Sequence, residues 1–287
     1  SLHETGASGV FYFHEFLERL NLTTEHVRLV RHDSRGIVAW RRGGFKSFGC
    51  FASFQKIAKS PYLKTNLVCQ FIPGPTLSDG DATALFIGIT RITDRWEWDG
   101  KRLPVLQDQD VINGEQGNSD VEAFDLQWLD SGKDYSERIL VRWRATRAWS
   151  QWASNRPKEI VEIKRDRSEP PFPGFSHFYA RISEVLQLPE AWQAALRSCG
   201  GVYLLVAENG EQYVGSAAGK DGFLGRWANY AANGHGGNRM LRERGHRDYS
   251  VSILEITSTD MGTRDILARE QHWKLKLGSR VHGLNCN

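Results

Sequence analysis

The chain has 287 residues, 40% of them apolar, enough for two domains or one large one. No apolar run approaches about 18 residues, which argues against a transmembrane helix. A net charge of +3 is too small to establish a nucleic-acid partner by itself. Residues 1–170 carry 24 Lys and Arg against 23 Asp and Glu, and residues 171–287 carry 13 against 11, so neither half is basic and local patches must make that case. Ser1-Leu2-His3-Glu4 has no basic or apolar leader pattern, so no signal peptide is expected. Cys50, Cys69, Cys199 and Cys286 form no C-x-x-C pair, consistent with reduced thiols and a cytoplasmic location.

In chain order, Val10 to Leu20 spaces its apolar residues for an amphipathic helix. Val27 to His32 alternates like a strand. Gly36 to Phe54 interleaves Arg41, Arg42 and Lys46 with Trp40, Phe45, Phe48 and Phe51, a mixture that suits phosphate contact plus base stacking and equally a solvated loop. Asn66–Ile72, Thr83–Thr93, Phe124–Leu129, Arg138–Trp143 and Ile160–Ile163 read as short strands separated by turn residues. Residues 1–165 are therefore expected to form a β-rich, barrel-like domain. Six of the ten tryptophans fall between residues 96 and 152. Trp96 and Trp98 would share one face of an extended segment, as core or as the wall of a base pocket.

Pro170, Pro171 and Pro173 mark a stiff linker, and Ser176–Cys199 reads as helical with a break at Pro189, so residues 166–199 form a connection. Residues 200–287 then give a strand from Gly201, an Asn209-Gly210 hairpin turn and a return strand from Gln212. Helices follow around Phe223–Tyr230 and Met240–Arg244, then a third strand at Tyr249–Ile256 and a helix over Thr263–Leu277. The fold class is α+β, with a three-stranded antiparallel sheet and flanking helices at the C-terminal end. Tyr203 and Tyr213 lie near each other across the hairpin, and Arg226 and Tyr230 share a helix face. Arg239, Arg242 and Arg244 form a basic run that would track a phosphate backbone or a solvated surface.

Gly201-Val202-Tyr203 and Tyr213-Val214-Gly215 resemble the paired signature of the GIY-YIG nuclease family. Arg226, Glu270 and Asn285 follow in the order that family uses, over about residues 200–287. Val202 and Val214 replace isoleucine, and Tyr230 stands where a histidine is frequent. The N-terminal half resembles PUA-like barrels, the group of SRA and EVE readers of modified bases, through its Phe86-Ile87-Gly88-Ile89 strand and its tryptophans.

The family resemblance implies a divalent-metal-dependent endonuclease with Tyr203, Tyr213, Arg226, Tyr230, His235, Glu270 and Asn285 as site residues. Arg226 would offset charge on the phosphate, Glu270 would hold Mg²⁺ or Mn²⁺, and Tyr203 or Tyr230 would be the general base. The expected substrate is double-stranded DNA, and the expected role is restriction of phage DNA through a modified base. A sequence-specific restriction or homing-type enzyme, an inactive nucleic-acid-binding module and an RNA substrate stay open. One centre cuts one strand, so double-strand cleavage calls for a homodimer on DNA or successive nicking.

Overall fold

The computed structural model describes residues 9–144, 148–155, 157–167, 169–243, 247–258 and 260–285. Contacts divide the chain into two compact units, Ser1–Pro75 with Asp81–Ser168, and Thr76–Gly80 with Glu169–Asn287.

The first unit contains β1 (Phe11–Tyr12), α1 (Phe13–Arg19), β2 (Val27–Arg31), α2 (Ser34–Ala52), β3 (Phe54–Lys56), β4 (Leu67–Pro73) and β5 (Thr83–Glu97). It continues with α3 (Gln109–Glu115), β6 (Val121–Trp128), β7 (Ile139–Arg142), β8 (Ser150–Trp152) and β9 (Glu159–Ile163). One mixed sheet runs β1-β9-β7-β5-β4-β2-β8, with β6 pairing to β5 and β3. Only the β2–β4 pair is parallel among these ladders. The path ends at β1 and β8, and among the described residues no ladder joins them, so closure into a barrel is not part of the observed pairing. β5 is the spine: it pairs with β7 over Thr83–Leu85 and with β6 over Thr90–Glu97.

The Gly- and Arg-rich stretch from Gly36, for which the sequence suggested no helix, lies in helix α2. Asp33 caps it by accepting from Arg35 N, and the axis breaks at Gly43 and Gly44, where Gly44 has φ of 54°. Those glycines disguised the helix. On either side of them Ile37, Ala39, Phe48 and Ala52 point inward, while Arg41, Arg42 and Lys46 lie at the surface.

The second unit contains β10 (Tyr179–Arg181), α4 (Glu190–Ser198), β11 (Gly200–Ala207), β12 (Gln212–Ala217), α5 (Gly222–Asn233) and α6 (Arg239–Glu243). It closes with β13 (Tyr249–Thr257), α7 (Thr263–Leu277) and α8 (Ser279–His282). The sheet has four antiparallel strands in the order β10-β13-β11-β12, not three. The added edge strand is three residues long, too short to show alternation, and lies in the segment read as helix. It pairs Ala180 with Val251. Phe178, Trp192, Tyr203, Trp227, Tyr230 and Tyr249 build the core between sheet and helices, each worth about 1.5–3 kcal/mol of burial.

Candidate active site

The Asn209-Gly210 turn sets the β11–β12 register so that Tyr203 faces Gly215 and Leu205 faces Tyr213. Residues two apart on a strand share a face, so the rings of Tyr203 and Tyr213 meet diagonally across Gly215. A Cβ on Gly215 would lie 2.5 Å from Tyr203 Oη and 2.8 Å from the Tyr213 ring. This close approach is why the second triplet ends in glycine. Gly201 has φ of 150°, and a Cβ there would meet the Glu255 carbonyl at 2.0 Å.

α5 lays its inner face over these rings. Tyr203 Oη and Tyr230 Oη share a hydrogen bond of 3.0 Å, and Arg226 Nε donates to Tyr203 Oη at 3.3 Å. The Arg226 guanidinium lies 5.4 Å from the centre of the Tyr230 ring. Tyr213 and Tyr230 have ring centres 6.3 Å apart. Burial first, and then the neighbouring phenols, push Tyr203 and Tyr213 well above the ordinary tyrosine value, and burial does the same to Tyr230. The Glu270 carboxylate adds to the rise at Tyr213, so its charge reaches the cluster. Burial by itself would lower Arg226, but the surrounding phenols outweigh it and hold the guanidinium firmly cationic.

These raised values set a pH dependence. A group that binds its proton more tightly when folded contributes stability fully below the unfolded value, and that stability is lost as pH rises beyond it. The fold should therefore hold through neutrality and weaken above pH 10, the ordinary phenol value. Tyrosinate absorbance followed together with circular dichroism checks this. Ionisation of Tyr203, Tyr213 and Tyr230 should appear only with unfolding. Titration of all the tyrosines while the fold is intact would contradict the buried cluster.

α7 brings Glu270 from the far side of the hairpin. Glu270 Oε1 is 2.7 Å from Lys274 Nζ, with the two side chains 9% and 1% exposed. Glu270 Oε2 accepts a hydrogen bond from Ser216 Oγ. The helix favours this placement, with Asp265 in its first turn, Lys274 and Lys276 in its last, and Gly278 closing it at φ of 62°. Lys274 and Ser216 were not singled out by motif reasoning. The i,i+4 spacing of Glu270 and Lys274 and the position of Ser216 directly after Gly215 were the available signals.

Among the described residues no group of three or more His, Cys, Asp or Glu is placed to hold a metal ion. The donor set is one carboxylate. With Lys274 on its Oε1, Glu270 would fit a hard cation such as Mg²⁺ only if other ligands came from outside the chain and Lys274 gave way.

The other expected site residues divide. Asn285 uses its amide on the backbone: its Oδ1 accepts from Val214 N at 2.9 Å and its Nδ2 donates to Val214 O at 2.8 Å, which clips the outer edge of β12. His235 sits beyond α5, and its Nδ1 accepts from Gly237 N at 2.9 Å, which places any proton of the neutral ring on Nε2. Its neighbour Gly236 packs on the Tyr230 ring, where a Cβ would lie 2.6 Å from the ring carbon. Arg239 and Arg242 are exposed on α6, Arg239 paired with Glu243 at 3.0 Å, and Arg244 lies outside the described residues.

In the first unit Arg42 is tied to Asp108 at 2.8 Å and to Asp110 at 3.6 Å, so carboxylates already take its charge. Arg41 and Lys46 are exposed. Trp96 and Trp98 do share a face, but it is filled. Trp98 packs on Phe54 and donates its indole N–H to Glu115 O at 2.7 Å, and the Arg102 guanidinium covers Trp96 at 3.8 Å. Neither offers an open wall for a base.

A guanidinium held on a phenol, three clustered phenols and one buried carboxylate stand on a small antiparallel sheet, residue types that can offset and move charge at a phosphodiester. Residues 199–285 match the family model of the GIY-YIG catalytic domain, so the C-terminal unit carries a nuclease domain of that superfamily. No curated protein and no solved structure matches the chain. No helix among the described residues is long and apolar enough to cross a membrane.

Proposed function

We propose that the chain is a restriction endonuclease that hydrolyses phosphodiester bonds of double-stranded DNA with one Mg²⁺ or Mn²⁺, its N-terminal unit selecting DNA by a modified base. The observation that carries the catalytic part is the convergence of Arg226 on the Tyr203 hydroxyl, with the Glu270 charge acting on the same phenol cluster. Arg226 binds the scissile phosphate and offsets the charge that develops on its oxygens. Tyr203, next to the guanidinium, takes the proton of the attacking water as its own passes through Tyr230 and Tyr213, the phenol nearest the surface, to a solvent hydroxide, which becomes water. Their raised values keep them protonated at neutral pH, so the final acceptor is solvent hydroxide and cleavage speeds up as pH rises through 7 to 9. Glu270 would hold the metal, which when bound supplies charge neutralisation at the phosphate. A domain of this size has little surface for reading sequence, and this is the reason to assign target choice to the first unit.

The deciding assay is cleavage of one DNA sequence carrying cytosine, methylcytosine, hydroxymethylcytosine or glucosylated cytosine, each with and without Mg²⁺ or Mn²⁺. At least one modified form should be cut ten times faster than the unmodified one, and only with metal. Equal cutting of all four would leave a sequence-specific restriction or homing-type enzyme. The buried Glu270–Lys274 pair is the observation that favours an inactive binding module, and binding without cleavage of any substrate would select it.

A further inference from the structure

A cavity of about 630 Å³ opens on the first unit, within the range that takes a small ligand. Its depth is polar. His32, at the end of β2, is 5% exposed, and Gln55 of β3 is 9% exposed. Its sides carry the rings of Phe51 and Trp149.

The hydrogen bonds around His32 fix its chemistry. Gln70 Nε2 donates to Tyr62 Oη at 3.0 Å and to Thr90 Oγ1 at 2.9 Å, so Gln70 Oε1 is the acceptor that faces His32 Nε2 at 2.7 Å. The proton of His32 is thus on Nε2. Burial, the main cause, lowers the imidazole to about 4, and the ring is neutral at physiological pH. Nδ1 is then a bare acceptor, and no described residue bonds to it. His32 lines the cavity, so this acceptor, which no protein group fills, can take a ligand N–H.

The charges narrow the ligand further. Asp33, Glu115 and Asp120 line the cavity together with Arg31 and Arg35, and Arg35 is paired with Asp33, so apart from the two lysines below the wall carries no excess of positive charge that would call for an anion inside. Lys56 and Lys59 are exposed on the lining with no ion pair among the described residues, so they can take a phosphate at the mouth. A flat neutral ring with an N–H edge, carried on a phosphate chain, meets all of these conditions.

We propose that this cavity receives a single nucleobase turned out of a nucleic-acid strand, stacked against Phe51 or Trp149, with an N–H of the base donated to His32 Nδ1 and the adjoining phosphates held by Lys56 and Lys59. The proposal rests on the reading that the first unit selects the nucleic acid, and it replaces Trp96 and Trp98 as the place where a base is read.

The test uses the full chain in EDTA, with binding as the readout. Fluorescently labelled duplexes carrying the four cytosine forms, and free deoxynucleoside 5′-monophosphates, are titrated against the parent chain, Trp149→Ala and the double variant K56E/K59E. Trp149→Ala should weaken the preferred duplex and its free monophosphate at least tenfold, as loss of one stacking partner predicts. K56E/K59E alters only exposed residues. It should weaken all duplexes and reduce the salt slope of log K by about 2.

Affinities within twofold of the parent for both variants, with unchanged melting temperatures, would overturn the proposal. If Trp149→Ala does not fold, K56E/K59E and His32→Gln decide by the same criterion. Base-dependent binding lost in Trp149→Ala supports the cavity even if no duplex is ever cut. Equal affinity for all four cytosine forms, lost in Trp149→Ala, also supports the cavity while removing the modified-base reading.

Discussion

Replacing Arg226 with alanine is expected to slow DNA cleavage by about a thousandfold, the usual cost of removing a positioned cation from a phosphoryl site. The reason is geometric. The guanidinium is held at Tyr203 Oη and against the Tyr230 ring, so its direction is fixed before substrate arrives. A pre-aimed donor needs no reorganisation when charge develops on the phosphate. Arg226→Lys should restore little, because an ammonium cannot reproduce the planar fork. Arg226 is only half buried and loses one hydrogen bond, so the stability cost should be about 1 kcal/mol. Single-turnover cleavage together with urea unfolding separates the two effects. A rate within tenfold of the parent would remove Arg226 from the chemistry.

Glu270 carries the second large expected effect, and here stability and activity must be separated by design. Lys274 is 1% exposed and paired to Glu270 at 2.7 Å. Removing one partner of such a pair leaves a buried charge uncompensated, which typically costs about 3–5 kcal/mol. Glu270→Ala would therefore lose activity partly through misfolding. Glu270→Gln combined with Lys274→Met removes both charges, and replacing a whole buried pair by apolar or neutral groups is often nearly neutral. The double variant should unfold close to the parent midpoint in urea and still be at least a thousandfold slower with Mg²⁺ or Mn²⁺. Lys274→Met alone leaves Glu270 with its Ser216 bond and no cation. That variant should bind metal more readily than the parent if Lys274 competes for Oε1. Parent-level metal-dependent cleavage by the double variant would sink the assignment of Glu270.

Much of the second unit was legible because its signals are local. Asn209-Gly210 between two apolar runs fixes a hairpin, and that hairpin sets Tyr203 opposite Gly215. Four-residue spacing places Arg226 and Tyr230 on one helix face, and Thr263–Leu277 reads as a helix with the observed ends. The edge strand Tyr179–Arg181 was hidden because three residues carry no periodicity. α2 was hidden because Gly43 and Gly44 break its axis. Asn285 stands in the family order, but only its two bonds to Val214 show that it positions a strand.

The sequence alone determined the class of the C-terminal unit and the order of its polar residues, since turn chemistry and helical period act over two to seven positions. The tertiary structure decided what those residues face. It buried Lys274 against Glu270, covered Trp96 with Arg102, and filled the space beside Trp98 with Phe54. It also gathered His32, Gln55 and Trp149 around one cavity from segments up to 117 positions apart in the chain. Such groupings depend on which strands pair, and strand pairing is set by burial summed over the whole sheet, which no short window of sequence contains.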